Sequence, residues 1–256
     1  MKKLFIKIAK TLGYEIIDQN NFISPTLKKE LNENLSSFND QSIVLPLGNV
    51  KITRKVKSLL IIFRTNTSVE IWDQNKKRLF EYPKIEYATR SLNSLIKSIK
   101  FLRQQLPEIN IKLIILDDHS SNENLEKIKK ISEQEKSSEI ISLDHKKYES
   151  SIKEQKSNET FSNLSSLLNS FEIGKNQGDD LVFFVEDDYL HFETMLEEML
   201  SSFQRISSQL KKDVFMCPSD YPYLYMNNEK TNVLIGSRRH WRTIDRSLCT
   251  FLTSGK

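Results

Sequence analysis

Cys217 and Cys249 are the only two cysteines in 256 residues. They are too few for a disulfide framework and lack the spacing of a zinc motif. That scarcity points to a reducing cytoplasm. No run reaches the roughly 18–20 consecutive apolar residues a membrane-crossing helix needs. The start, MKKLFIKIAKTLGYEII, lacks the apolar core of a signal peptide because Lys7 and Lys10 interrupt it. Charge of one sign is also in short supply: 38 Lys and Arg face 34 Asp and Glu, leaving +4. A balance this mild does not imply a broad nucleic-acid-binding surface, so nucleic acid is not expected as a partner. The low glycine count of six, beside abundant Lys, Asn and Ile, reflects genome composition rather than function. There is no internal repeat.

What is present fits a soluble globular chain, with 38% hydrophobic and 28% charged residues and enough length to bury a substantial core. Leu4, Phe5, Ile8 and Leu12 share one helical face, with Lys2, Lys3, Lys7 and Lys10 largely elsewhere. The favoured expectation is a short helix packed on its own domain or on a partner. The rival is peripheral contact with an anionic membrane through residues 1–17. Residues 13–55 are polar and irregular. The division expected is therefore residues 1–55 as amphipathic helix and extension, and 56–256 as the main folded domain.

From Ser58 the pattern changes. LLIIF (59–63), KLIIL (112–116), EIISL (139–143) and LVFFV (181–185) are short apolar runs of the kind buried on both faces of a sheet. DVFMC (213–217) reads as a fifth strand, and TNVLIG also looks strand-like. Between the first four lie helical periodicities. One carries Ala88, Leu92, Leu95, Ile96, Ile99 and Leu102 and is followed by Pro107. The second carries Leu125, Ile128 and Ile131 behind a capping box of Ser120 and Glu123. The third carries Phe161, Leu164, Leu167, Leu168 and Phe171 and stops near Gly174 and Gly178. A fourth, from Met195 to Ile206, follows the last of these runs. Residues 145–160, charged and serine-rich, read as a solvated loop or insert. The alternation predicts an α/β fold, Rossmann-like, with a mostly parallel sheet flanked by helices on both faces.

In such sheets ligands bind at the carboxyl ends of the strands. Two ends are acidic: Asp117 and Asp118 after KLIIL, and Glu186, Asp187 and Asp188 after LVFFV. The first strand ends in Arg64 and Thr65. Three adjacent carboxylates repel one another and are costly beside a buried strand unless something neutralises them. In extended backbone Glu186 and Asp188 point the same way, so together they can share a divalent cation. Oxygen-only ligands suit Mn2+ or Mg2+, and magnesium commonly bridges to substrate phosphates.

LLIIFRTN, IILDDHSSNENL and LVFFVEDDYLHFETML, in that order, resemble the three landmarks of family 2 glycosyltransferases with the A-type fold, over residues 57–205. The resemblance implies a metal-dependent, inverting transfer from a nucleotide-sugar donor, UDP- or GDP-linked, to an acceptor hydroxyl on a glycan or lipid-linked carrier. It implies nucleotide contacts from Arg64 and Thr65, and a base or ribose contact from Asp118 with Asp117 beside it. Glu186, Asp187 and Asp188 take the place of the metal- and diphosphate-binding triplet. Glu186 stands where that triplet usually begins with Asp, and His119 stands where Gly is common. The setting by analogy is surface-polysaccharide or glycolipid synthesis, in the cytoplasm or at the inner face of the membrane.

Further along, Asp220 in PSDYPYLY is a candidate general base for the acceptor hydroxyl. Arg238, Arg239 and Arg242 in GSRRHWR can offset charge on a departing diphosphate, and His240 can add a metal ligand or phosphate contact. His145 and His191 have no assigned partner and read as structural or surface residues. The chain closes on SLCTFLTSGK, a strand-like run that reads as a truncated end of the domain. Two rival functions stand beside the transferase. One is a metal-dependent phosphohydrolase or receiver-like phosphoacceptor suggested by LDDHS, and the other is a non-catalytic nucleotide- or sugar-binding module.

Overall fold

SLLIIFRT becomes the central strand, β1 (Ser58–Thr65), and seven of its eight residues are buried. A strand so apolar on both sides belongs between two helical layers. The computed structural model describes residues 2–13, 51–68, 82–152, 157–220, 232–244 and 246–255. β2 (Asn110–Asp117) pairs with β1 in parallel, from Ser58 opposite Asn110 to Thr65 opposite Asp117. β3 (Ser138–Ser142) is parallel to β2 on its outer side. On the other flank β4 (Leu181–Glu186) runs parallel to β1, with Arg64 opposite Glu186.

Alternating side chains of β1 feed two cores. Leu59, Ile61 and Phe63 pack toward α2 (Lys84–Gln105), α3 (Asn122–Ser132) and α5 (Met195–Leu210), through Leu92, Ile96, Ile128, Met199 and Phe203 among others. Leu60 and Ile62 face the opposite layer, where Phe161, Leu164 and Ile173 of α4 (Asn158–Gln177) meet Tyr148 and Ile152. Each fully buried Leu or Ile contributes about 1.5–3 kcal/mol, so burial on both faces fixes the register. Gly174 sits inside α4 where an added Cβ would come within 3.0 Å of Phe184, which lets this helix lie close against β4. The α/β architecture with helices on both faces is the one the sequence implies.

Several local expectations are corrected. The cap of α3 is Ser121, whose Oγ accepts from Asn124 N, while Ser120 accepts from Thr67 N instead. Residues 213–217 form no strand. Met216 makes a single antiparallel bridge to Leu252, because the edge beside β4 is taken by β7 (Phe251–Ser254). Sheet order is therefore β3-β2-β1-β4-β7. TNVLIG supplies β5 (Val233–Ile235), paired with β6 (His240–Arg242) in a separate two-stranded ribbon. The stretch read as solvated, 145–160, starts with a 3-10 turn, His145–Tyr148, and buries Tyr148 and Ile152; residues 153–156 lie outside the described residues.

The N-terminal helix α1 (Lys2–Thr11) is present, and Leu4, Phe5, Ile8 and Leu12 are all exposed. They are not packed into the domain. Most of the irregular 13–55 extension, and the Tyr-rich turn at 221–231, fall outside the described residues. No helix among the described residues is long and apolar enough to cross a membrane.

Candidate functional site

Strand order reverses at β1. The chain steps outward from β1 to β2 and β3 on one side, then returns to place β4 on the other. The carboxyl ends of β1 and β4 thus flank a topological switch point, where open α/β sheets leave a crevice. At these ends Arg64 and Thr65 of β1 stand beside Glu186 and Asp187 of β4.

The acid triplet is largely neutralised from within. Arg64, 5% exposed, places Nη2 3.0 Å from Glu186 Oε1. Asp187 accepts from Thr65 Oγ1 at 2.8 Å and from Asn66 N at 3.4 Å, and its other oxygen takes the Lys84 ammonium. Asp188 is exposed. Burial pushes the Glu186 carboxyl above the usual range, and the Arg64 guanidinium only partly offsets this. Desolvation by its packed neighbours pushes Asp188 the same way, with Lys84 opposing, but its exposed side lets solvent weaken that push.

The first acid pair occupies the next strand end. Asp117 turns inward, 3% exposed, and its Oδ2 accepts from Ser120 N at 3.2 Å, shaping the turn that leaves β2. Burial pushes its carboxyl upward, with the Ser120 hydrogen bonds opposing. Asp118, 2% exposed, donates its backbone N–H to Thr65 O at 2.8 Å. Its Oδ2 accepts from Asn66 Nδ2 at 3.1 Å and from the Ser162 hydroxyl. Asn66 therefore ties Asp118 and Asp187 together. The two acidic strand ends share one rim.

On its other oxygen Asp118 meets two imidazoles. His119 Nδ1 lies 2.8 Å from Asp118 Oδ1, and His145 Nε2 lies 2.7 Å from the same atom. The two rings are 4.6 Å apart, and Phe161 packs edge-on against His145 at 5.6 Å. His119 has φ of 59°, in the left-handed region that suits glycine. Among the described residues, Asp118, His119 and His145 are the group whose His, Cys, Asp or Glu donors converge closely enough for one metal ion, all within 4.8 Å. Glu186, Asp188 and His240 do not converge in this way.

The C-terminal candidates gather elsewhere. Arg238 donates from Nε to Glu197 Oε2 at 2.6 Å, and its backbone N–H goes to Glu198. Trp241 Nε1 also donates to Glu198, at 2.9 Å. This clamps the β5–β6 ribbon onto the first turn of α5. Arg239 lies over the Phe192 ring at 4.6 Å, and Arg242 pairs with Asp220 at 2.8 Å. His240 is exposed and lines a cavity of about 730 Å³ with Arg205, Ile235, Gly236, Ser237, Arg238 and Arg239. That cavity contains none of the acidic rim residues. Cys217 contacts carbonyls of Ser219 and Thr250, while burial raises the Cys249 thiol.

No protein-family model matches the chain, and no curated protein matches it in sequence. Solved structures do align with it, three of them as follows. Glucosyl-3-phosphoglycerate synthase from Mycobacterium tuberculosis, in complex with uridine diphosphate, aligns at 12% identity and a TM-score of 0.31, over 58% of this chain and 40% of that one. A second M. tuberculosis structure of that synthase gives 12% identity and a TM-score of 0.29, over 57% and 41%. A mycobacterial protein gives 13% and 0.32, over 61% and 38%. The chain thus spans about two-fifths of the length of these structures. At this distance no residue role transfers from them.

Three participants escaped sequence reasoning. Lys84 had a signal: a cation in the first turn of a helix opposes the helix dipole and needs a compensating anion nearby. Asn66 directly follows the Arg64–Thr65 pair. His145 stands 27 positions after Asp118 in a charged, serine-rich stretch, and only the return of β3 beside β2 brings it close.

Proposed function

We propose that this protein transfers a sugar from a nucleotide-diphospho-sugar donor to an acceptor hydroxyl. The observation that carries this reading is the shared rim at the switch point, where Asn66 holds both Asp118 and Asp187, Lys84 pairs with Asp187, and Arg64 pairs with the neighbouring Glu186. Arg64, Thr65, Asp117, Asp118 and Asp187 then contact the nucleotide. A guanidinium and an ammonium already placed at that edge suit a leaving diphosphate, whose charge must be stabilised as the glycosidic bond breaks.

A divalent ion, Mn2+ or Mg2+, belongs on Glu186 and Asp188 in this reading. The donor chemistry fits, since both groups offer only oxygen. Glu186 holds Arg64 through Oε1 alone, so an ion gripping both acids shares that carboxylate with the guanidinium or displaces it. When bound, the ion supplies positive charge to the diphosphate. Asp220 is the proposed base. It must first release Arg242, with which it is paired. Arg238 and Arg239, engaged at Glu197 and Phe192, belong to the proposed diphosphate contacts only after rearrangement, and His240 to the ion only after the ribbon moves. The acceptor is a glycan or lipid-linked hydroxyl, the outcome inverting, and the setting surface-polysaccharide or glycolipid assembly at the cytoplasmic face of a membrane.

The test is thermal stabilisation by UDP and by GDP, with and without Mn2+, followed by donor turnover. Metal-dependent stabilisation and turnover that Asp188→Ala abolishes support the transferase. A second reading, a nucleotide-binding module without turnover, draws on the fact that Arg64 and Lys84 neutralise two of the three acids with no ligand. Nucleotide binding with no donor cleavage under any metal selects it. Hydrolysis of simple phosphate monoesters without nucleotide binding would select a phosphohydrolase instead.

A further inference from the structure

We infer that Asp118, His119 and His145 form a binding site for a divalent transition metal such as zinc, distinct from the acid triplet and from any ion accompanying a nucleotide.

The two oxygens of the Asp118 carboxylate are held differently. Asp118 Oδ2 is committed to donors on two other elements, Asn66 Nδ2 after β1 and the Ser162 hydroxyl on α4. These fix the plane of the carboxylate and turn Oδ1 toward the two imidazoles. Metal-binding carboxylates are typically held in this way by outer hydrogen bonds. Two imidazole nitrogens converge on that single oxygen, at 2.7 and 2.8 Å.

Hydrogen bonding does not account for both contacts. His145 Nε2 is buried and has no hydrogen-bond partner, although it lies 2.7 Å from the oxygen. The separation is that of a hydrogen bond, but the direction is not. A buried ring nitrogen without a partner is costly. A cation bound by both nitrogen and oxygen removes that cost, because each then donates a lone pair to it.

Backbone conformation gives an independent indication. His119 is held at φ 59°, where a residue with a Cβ costs about 1–2 kcal/mol relative to the right-handed region. Strain of this kind persists when the side chain gains from its placement. Here the conformation turns Nδ1 back onto Asp118. Phe161 packs edge-on against the His145 ring and holds it in position.

The donor set selects the ion. Two imidazoles and one carboxylate suit zinc and its first-row neighbours, whereas Mg2+ and Ca2+ prefer oxygen alone. Around zinc with bonds of about 2.0–2.1 Å, tetrahedral donors sit roughly 3.3 Å apart. The two contacts to Oδ1 must therefore open by about half an ångström. Three protein donors leave the fourth position for water or an exogenous oxygen ligand, the pattern of an open rather than a closed zinc site.

The test uses the full chain and zinc alone, without nucleotide or sugar. Zinc affinity is measured by competition with a chromophoric chelator, and geometry by the visible spectrum after Co2+ substitution. The wild-type chain is expected to bind one zinc per molecule, with a Co2+ spectrum of four- or five-coordinate intensity. His119→Ala and His145→Ala should each weaken zinc by more than about 100-fold, and Ser162→Ala by about 10-fold. Glu186→Gln, Asp188→Asn and His240→Ala should leave the affinity unchanged. The proposal is overturned if the wild-type chain binds no zinc, or if the His119→Ala/His145→Ala double variant retains it. Loss on Asp188→Asn or His240→Ala would equally overturn it by placing the ion elsewhere. Because the readout contains no donor, failure here is separable from failure of the transferase reading.

Discussion

Arg64 and Glu186 are register partners on neighbouring parallel strands, and their side chains close that pairing with a 3.0 Å ion pair at the edge of the switch point. The guanidinium is nearly buried, and Glu186 is 28% exposed. Removing one partner should therefore cost more than losing an ordinary surface pair. Arg64→Met is expected to destabilise the fold by about 2–4 kcal/mol in urea unfolding. The double variant Arg64→Met/Glu186→Gln should recover a large part of that loss. An additive double variant would show that the pair is not coupled.

Asn66→Ala tests the link between the two acidic strand ends. It removes the side-chain bond to Asp118 but keeps the backbone N–H on Asp187. A stability loss of about 1–2 kcal/mol is expected, with nucleotide stabilisation reduced more strongly than in a variant at an exposed position such as Lys175→Ala. Equal nucleotide responses in the two variants would disconnect Asn66 from binding.

Acid sensitivity should centre on His191. Burial holds its imidazole down at about 4, against an ordinary 6.5, and its Nε2 is buried without a hydrogen-bond partner. The neutral form is favoured in the folded chain, so between pH 6.5 and 4 the unfolded chain binds more protons. Stability is then full above 6.5 and falls as pH drops through this window, by roughly 2–3 kcal/mol at its lower end. The difference between wild-type and His191→Leu unfolding curves should carry this slope. Parallel curves would exclude it.

The exposed Leu4, Phe5, Ile8 and Leu12 of α1, with lysines interspersed in the same segment, predict attraction to anionic bilayers. Co-sedimentation with vesicles containing phosphatidylserine should exceed that with neutral vesicles and fall with salt. Phe5→Glu should abolish it. Equal pelleting with both vesicle types would remove the membrane from the account.

Core packing gives a calibration for these effects. Phe183 is fully buried between β1 and the antiparallel β7. Phe183→Ala should cost about 3–5 kcal/mol in the same unfolding measurement. A much smaller value would mean that the site collapses around the deletion.

The central strands were legible because burial on both faces writes them as unbroken apolar runs, from LLIIF to LVFFV. That signal failed at DVFMC. Its apolar residues reflect proximity to an edge already occupied by β7, and Phe215 is in fact 75% exposed. Acidic strand ends were legible for the same reason that made them conspicuous, since charge directly after a buried run demands compensation. What compensates them was not. Lys84 and Arg64 reach Asp187 and Glu186 only through folding, whereas the acidic pattern by itself points to a cation from outside the chain. His145 was illegible because its partner is set by the return of β3 beside β2 rather than by spacing. At the ribbon, the run of arginines suggested anion binding, yet Glu197 and Glu198 on α5 take Arg238 and the Trp241 ring.

β7 contributes four residues and stops its ladder at Phe184, opposite Phe251, while Thr250 Oγ1 accepts the Glu186 backbone N–H at 3.2 Å. The same short segment thus closes the sheet's outer margin and steadies the acidic corner. Stripping it away would leave β4 as a bare template for strand addition by another chain. Loss of this segment would therefore convert a loosened rim into self-association, joining the upkeep of the charged corner to solubility.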